Sequence, residues 1–127
     1  ILLRQSSGSH NPLGRVVLRF ANPFAVYLHD TPSQQLFSKA PRAFSSGCVR
    51  VEAVDTLLTW LLMPGELEQV QTRITSGKTQ QYRLQRPAPL LIAYWTAEAS
   101  ADGTLHYYPD IYARDARLIQ ALAQHVP

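Results

Sequence analysis

The spacing of apolar residues changes from a period of two to a period near 3.6 along the first half of the chain, and this change constrains the fold more than any other feature. The segments RVVLRF (15–20) and FAVYLH (24–29) alternate in character and predict strands, separated by the break ANP. Further on, one face of a helix is predicted by Val54, Leu57, Leu58, Leu61 and Leu62. We therefore expect a mixed, β-rich α+β fold, a sheet or sandwich with a few helices.

The second half of the chain continues with both periods. The elements predicted there are, in order, a helix at 67–74 closed by Gly77, strands at 79–84 and 90–97, a hairpin through Gly103 into 104–108, and a helix from about Asp115. The segment 90–97 is apolar on both faces, which is typical of a central strand. No internal repeat interrupts this order, and a chain of 127 residues closes one core, so we predict one domain over 1–127.

Composition argues against several classes of function. The chain has 12 Lys and Arg against 9 Asp and Glu, a net charge of +3, and these charges are scattered rather than gathered into the basic stripe of a nucleic-acid-binding protein. No segment approaches the roughly 20 apolar residues of a membrane-spanning helix. One cysteine cannot form an internal disulfide, and no zinc-binding spacing is formed by His10, His29, His106 and His125. We expect no metal and no other cofactor.

The only cysteine lies in the segment FSSGCVRVE (44–52), and two interpretations of Cys48 are open. A free cysteine is often a small buried hydrophobe, and composition alone favours that role. As a nucleophile, Cys48 would need a base that removes its proton. His29, at the end of a predicted strand 19 residues earlier, is the candidate. The small residues Ser46 and Gly47 let the backbone approach a substrate carbonyl, with the N–H groups of Gly47 and Cys48 directed at the oxyanion.

The segments around His29 and Cys48, and the spacing between them, decide between these interpretations. YLHDTP (27–32), a spacer of 15 residues from 30 to 44, and SSGCVRV (45–51) together resemble the active-site signature of the YkuD-domain L,D-transpeptidases of bacterial cell walls. NPLGR (11–15) is similar to the turn that precedes the histidine strand in this family. The resemblance is strongest to the larger proteobacterial members, which have a scaffold region before the catalytic domain. The sequence departs from the family pattern in two ways. Ser46 replaces the commoner histidine, and few strands precede residue 15. Because of the second departure, we expect the first strands of the domain to be missing.

The resemblance implies a role for each residue of the signature. Cys48 is the acyl-accepting nucleophile and His29 its general base. Asp30 supplies the third member, through its main-chain carbonyl or alternatively through its side chain, which orients the imidazole. The backbone of Ser46 and Gly47 forms the oxyanion site. Contacts with substrate are assigned to Tyr27, Thr31, Ser45 and Arg50, of which Arg50 alternatively braces the loop by binding main-chain carbonyls.

The resemblance also implies a reaction and a partner. The thiolate attacks the third residue of a peptidoglycan tetrapeptide stem, releases the terminal D-Ala, and passes the acyl group from a thioester to an amine of a second stem, which gives a 3→3 cross-link. Relatives instead attach or detach a lipoprotein or act as L,D-carboxypeptidases. Carbapenems would acylate the same thiolate, and the location implied is the bacterial periplasm.

Two rivals belong to other classes. A papain-like wall amidase would place its cysteine before the histidine and at the start of a helix, whereas His29 precedes Cys48 here. A domain without catalytic activity that binds wall peptide or a protein partner is the second rival. Labelling of Cys48 by an acylating drug distinguishes an enzyme from such a binding module.

Overall fold

The structure of the protein is a computed structural model that describes residues 5–124. His125 therefore lies outside the described residues. The chain forms two compact units, Ile1–Ala88 and Pro89–Pro127. From residue 5 onward, the first unit contains three strands, a 3₁₀ helix and two α-helices: β1 (Val17–Leu18), β2 (Leu28–His29), the 3₁₀ helix Gln34–Ser38, β3 (Val49–Arg50), α1 (Val54–Leu61) and α2 (Pro64–Thr75). The second contains β4 (Ala97–Ala99), β5 (Leu105–Tyr107) and α3 (Asp115–Ala123). The predicted mixed α+β class is confirmed.

A small three-stranded sheet in the first unit has β2 at its centre. β1 pairs with it antiparallel, with Val17 opposite His29, and β3 pairs with it parallel, with His29 opposite Arg50. The parallel pair is closed by the N–H of Val49 donating to Tyr27 O (2.9 Å) and the N–H of Val51 donating to His29 O (2.8 Å). The segment that contains Cys48 therefore enters the sheet directly beside the strand that carries His29.

The connection between β1 and β2 shortens the strands that alternation predicted. The side-chain amide of Asn22 donates to the carbonyls of Phe20 and Val26, and its oxygen accepts the N–H groups of Phe24 and Val26. These bonds replace strand pairing at the turn, so regular pairing in β2 begins at Leu28 rather than at residue 24.

The two helices of the first unit pack against each other. The most buried apolar side chains all come from α1 and the residue after it: Val54 (2% exposed), Leu58 (5%) and Leu62 (6%). α2 begins at Pro64, three residues before the predicted start, because proline is well suited to the first turn of a helix and Glu66 accepts the N–H of Met63 (3.0 Å). Gly77 has a φ of +66° just after α2, as predicted for its left-handed cap.

In the second unit, β4 and β5 form the predicted hairpin, with Gly103 at a φ of +84°. The strands predicted at 79–84 and 90–97 are wrong: the first segment has no strand, and in the second only Ala97 belongs to one. Leu91 and Trp95 are 79% and 62% exposed. An apolar run predicts a strand only if a neighbouring strand accepts its backbone hydrogen bonds, and the described residues of this unit place none beside 90–96.

Candidate active site

Strand register places four of the predicted site residues on one face of the sheet. His29 lies opposite Arg50, and extension of the same register by two residues places Tyr27 opposite Cys48. Side chains two residues apart on a strand point to the same face. The thiol, the imidazole, the guanidinium and the phenol therefore project from the same side of the β2–β3 pair. The register thus places His29 and Cys48, which are 19 positions apart in sequence, on one face of two paired segments.

The imidazole of His29 is held in one orientation by the residue that follows it. His29 is buried (4% exposed), and its Nδ1 lies 2.6 Å from the main-chain oxygen of Asp30. A carbonyl oxygen can only accept a hydrogen bond, so Nδ1 carries the proton when the ring is neutral. The lone pair is then on Nε2, the nitrogen available to take a proton from a thiol.

Cys48 ends a loop that is open to solvent. Residues 39–47 are exposed and Cys48 is half-buried, so the sulfur is not sealed into the core. The hydroxyl of Ser45 donates to Cys48 O (2.7 Å), which holds the end of the loop against β3. Ser46 and Gly47 make no hydrogen bond with other residues of the described range 5–124. Their N–H groups are free to donate to a bound molecule.

The carboxylate of Asp30 is buried (6% exposed) and bound by Arg15. Its Oδ2 accepts the backbone N–H of Arg15 (2.9 Å) and the side-chain Nε–H (3.3 Å). The other end of the same guanidinium donates from Nη2 to Asp55 Oδ2 (2.8 Å) in the first turn of α1. The hydrogen bond to Asp55, followed by the charges of Asp55 and Asp30, keeps the pKa of Arg15 above its ordinary value.

Gly14 lets this carboxylate approach the backbone. A Cβ at this position would lie 2.5 Å from Asp30 Oδ2, and the φ of +63° lies in the left-handed region. Asn11 forms the turn that leads to it, since the carbonyl of Asn11 accepts the N–H of Gly14 (2.8 Å). Sequence reasoning assigned no role to Gly14 or Arg15, although NPLGR was part of the resemblance. A glycine followed by arginine at the start of a strand was the available signal.

The remaining predicted residues differ in how accessible they are. Tyr27 is half-buried beneath Arg19, whose guanidinium carbon lies 5.6 Å from the ring centre. Arg50 is half-buried, and no hydrogen bond or ion pair of its guanidinium occurs among the described residues. Thr31 is 4% exposed, and its hydroxyl accepts the N–H of Ser33 (3.1 Å), so it stabilises the turn after His29. The substrate contacts assigned to these residues remain predictions.

Residues 5–124 contain no group of three or more His, Cys, Asp or Glu side chains placed to hold a metal ion. Over the same range, no helix is both long enough and apolar enough to cross a membrane.

An imidazole oriented by a carbonyl, on a strand adjacent to a half-buried cysteine in a mixed α+β chain, is typical of cysteine-dependent acyl-transfer proteins. Residues 2–79 match the model of the YkuD L,D-transpeptidase catalytic domain. The chain is also 36% identical over 118 residues to a Haemophilus influenzae protein described as "Putative L,D-transpeptidase", covering 91% of this chain and 24% of that protein. The chain belongs to the YkuD L,D-transpeptidase catalytic-domain family, and it spans about a quarter of the length of that relative.

Proposed function

We propose that this protein is a cysteine-dependent L,D-transpeptidase of the bacterial cell wall, with Cys48 as nucleophile and His29 as general base. The observation that carries the proposal is the 2.6 Å contact of His29 Nδ1 with Asp30 O, which leaves Nε2 as the basic nitrogen on the face that Cys48 shares. Family membership supplies the reaction class. The substrate proposed is the tetrapeptide stem of peptidoglycan.

The first step transfers the acyl group of the stem to the enzyme. His29 Nε2 takes the proton of the Cys48 thiol, and the sulfur attacks the carbonyl carbon of the third stem residue. The N–H groups of Gly47 and Cys48, with that of Ser46 close by, donate to the resulting oxyanion. The C–N bond to the terminal D-Ala then breaks, the leaving amine takes the proton from the imidazolium, and a thioester remains on Cys48.

The second step returns the enzyme to its starting state. An amine of a second stem attacks the thioester carbonyl while His29 Nε2 takes its proton. The C–S bond breaks, the amide of a 3→3 cross-link forms, and the thiolate is protonated by His29. Water as acceptor would give a carboxypeptidase, and a lipoprotein as partner would give an attaching or detaching enzyme. All of these alternatives pass through the acyl-enzyme. The carboxypeptidase and the attaching enzyme differ in what attacks the thioester, whereas in the detaching enzyme the lipoprotein amine is the group that leaves when the thioester forms, and water then attacks.

The substrate-binding roles follow from accessibility and charge. Arg50 is proposed to bind a carboxylate of the stem, because its guanidinium is planar, lies on the site face and makes no bond to a main-chain carbonyl among the described residues. Tyr27 is proposed to line the acyl-donor pocket. Ser45 and Thr31 are proposed to act on the substrate indirectly, by holding the two loops that border the site, because their hydroxyls are bonded to Cys48 O and to the N–H of Ser33. The location proposed with this substrate is the periplasm.

Acylation by a carbapenem tests the proposal. The Cys48 sulfur would attack the strained β-lactam carbonyl, the ring C–N bond would open and the nitrogen would take a proton, so intact-protein mass spectrometry should find one adduct with the full mass of the drug. Cys48→Ala should give none, and His29→Gln should be acylated about 10²-fold more slowly or worse. Labelling of Cys48→Ala would show attack elsewhere. No adduct on a wild-type sample shown by circular dichroism to be folded would instead favour the binding module.

A further inference from the structure

We propose that Arg15 is a positioning residue of this site: it locks the Asp30 carboxylate and thereby fixes the Asp30 carbonyl that orients His29. The inference rests on the proposed function, in which His29 is the base. It adds a residue that lies outside the signature around His29 and Cys48, and it connects the site to α1. The guanidinium contacts Asp30 at one end and Asp55 at the other.

The N–H, the carbonyl oxygen and one carboxylate oxygen of Asp30 are held at once. Its N–H donates to Val16 O (2.9 Å), its carboxylate accepts two N–H groups of Arg15, and its carbonyl accepts from His29. The residue after it is also fixed, because the carbonyl of Thr31 accepts from the side chain of Gln34 (2.9 Å). The Asp30 carbonyl turns away from His29 only if the peptide plane between 30 and 31 rotates. These bonds oppose that rotation from both ends.

The surrounding backbone is shaped for the buried carboxylate. A Cβ on Gly14 would lie 2.5–2.7 Å from three atoms of the Asp30 side chain, so the aspartate occupies space that only a glycine leaves open. Asp30 is 6% exposed, and a buried carboxylate needs a charged partner. Among residues 5–124 that partner is Arg15. Loss of Arg15 leaves the backbone N–H as a donor and leaves the buried charge uncompensated.

The outer end of Arg15 determines where the guanidinium sits. The Asp55 side chain is 63% exposed and that of Arg15 is 45% exposed, so their ion pair adds little stability. The ion pair matters more for geometry, since binding of Nη2 to Asp55 of α1 directs Nε toward the Asp30 carboxylate. A kinetic defect with little loss of stability in Asp55→Ala would therefore mark positioning rather than folding.

The test compares carbapenem acylation of the full chain with that of Arg15→Met, Arg15→Lys and Asp55→Ala. The maximal acylation rate constant, kinact, should fall roughly ten- to hundred-fold in Arg15→Met, because small misplacements of a catalytic group have effects of this size. The drug concentration giving half of this rate, KI, should stay within about two-fold, since Arg15 is not assigned to substrate binding. Arg15→Lys, which can reach one partner but not both, should recover part of kinact. Arg73→Met, which removes an arginine that contacts Tyr82 and Gln81 instead, should match wild type.

A second readout does not depend on activity. In ¹⁵N NMR spectra of wild type, the His29 Nδ1 proton should be resolved and slow to exchange, because it is buried and bonded to Asp30 O. In Arg15→Met it should broaden or exchange faster, and in Arg73→Met it should not. If the drug acylates wild type and Arg15→Met with equal kinact, or the Nδ1 proton is unchanged in Arg15→Met, the inference is overturned and the proposed function stands.

The remaining outcomes separate the two proposals. Failure of folded wild type to be acylated overturns the proposed function, whatever the state of the Nδ1 proton. If Arg15→Met does not fold, Asp55→Ala decides, because its exposed position leaves the fold intact. A several-fold lower kinact with unchanged KI in Asp55→Ala supports the inference, and a wild-type kinact overturns it.

Discussion

Gly14 is the residue of the site at which a larger side chain should cost most. Alanine there would meet the Asp30 carboxylate at 2.5 Å and would also have to adopt a φ of +63°. Gly77 provides a matched control, with a φ of +66° and nothing within 4 Å of an added Cβ. The two positions therefore separate backbone strain from collision with the site.

We expect Gly77→Ala to lose about 1 kcal/mol of stability, as an alanine forced into the left-handed region does. Gly14→Ala should lose about 2 kcal/mol or more, because the collision adds to the same strain. Urea denaturation of both variants measures the difference. Equal losses would mean that the carboxylate moves aside at no cost and that Gly14 has no special relation to Asp30.

The distance between partners in sequence decides what could be predicted of the site. His29, Asp30 and the loop before Cys48 lie within one short signature, so their proximity could be inferred, and their catalytic roles stay predictions. Arg15 and Asp30 are 15 residues apart, and their contact depends on β1 and β2 pairing antiparallel. No local sequence pattern around either residue predicts that it contacts the other. The contact between Arg15 and Asp30 was missed for that reason.

At the scale of elements, Glu66 joins the start of α2 to the segment that follows the helix. Its carboxylate accepts the N–H of Met63 (3.0 Å) and the hydroxyl of Tyr82 (2.7 Å). The bond from Met63, and then that from Tyr82, holds the pKa of Glu66 below its ordinary value of 4.5. The bond to Glu66 raises the pKa of Tyr82 above its own ordinary value. This carboxylate therefore stabilises the first unit in its ionised form.

The sign of the pH dependence follows from that lowered pKa. The contribution of Glu66 is complete above pH 4.5 and is lost as the pH falls toward and through the lower pKa of the folded state. The thermal unfolding temperature of wild type should exceed that of Glu66→Gln by several degrees at pH 7, and this difference should shrink as the pH falls below 4.5. Tyr82→Phe should narrow the gap without removing it. A gap that stays constant down to pH 3 would contradict this role.

Element type was predictable where the apolar period was strong. α1 and α2 were predicted from apolar residues at helical spacing, such as Val54 and Leu58 in α1, because this spacing indicates which face of a helix is buried. The strands at 79–84 and 90–97 were wrongly predicted, since β-character depends on a neighbouring strand that a local pattern does not supply. The short β2 has a similar cause, because the four hydrogen bonds of Asn22 compete with strand pairing.

At the scale of the molecule, every residue of the candidate site, from Gly14 to Asp55, lies in the unit Ile1–Ala88. The family match over residues 2–79 also falls within that unit. The prediction of one catalytic domain over 1–127 stays a prediction. In Pro89–Pro127, α3 presents three exposed apolar side chains, Leu118, Ile119 and Leu122, and no chemistry is assigned to that unit.

The choice of acyl acceptor is a property of the whole protein rather than of the signature. In the proposed mechanism a Cys48 thioester would pass to a stem amine, to water or to a lipoprotein, and surface loops would decide among them. Only products distinguish these outcomes. The central claim, acyl transfer by Cys48, concerns the step that all of them share.

The most direct measurement of that claim is mass analysis of purified tetrapeptide stems incubated with the full chain. We predict release of D-Ala and a dimer joined between the third residues of two stems, lighter than two stems by one D-Ala, with neither product from Cys48→Ala. D-Ala release without a dimer would identify water as the acceptor and keep the acyl-enzyme. No release by folded protein, or release that persists in Cys48→Ala, would contradict the account.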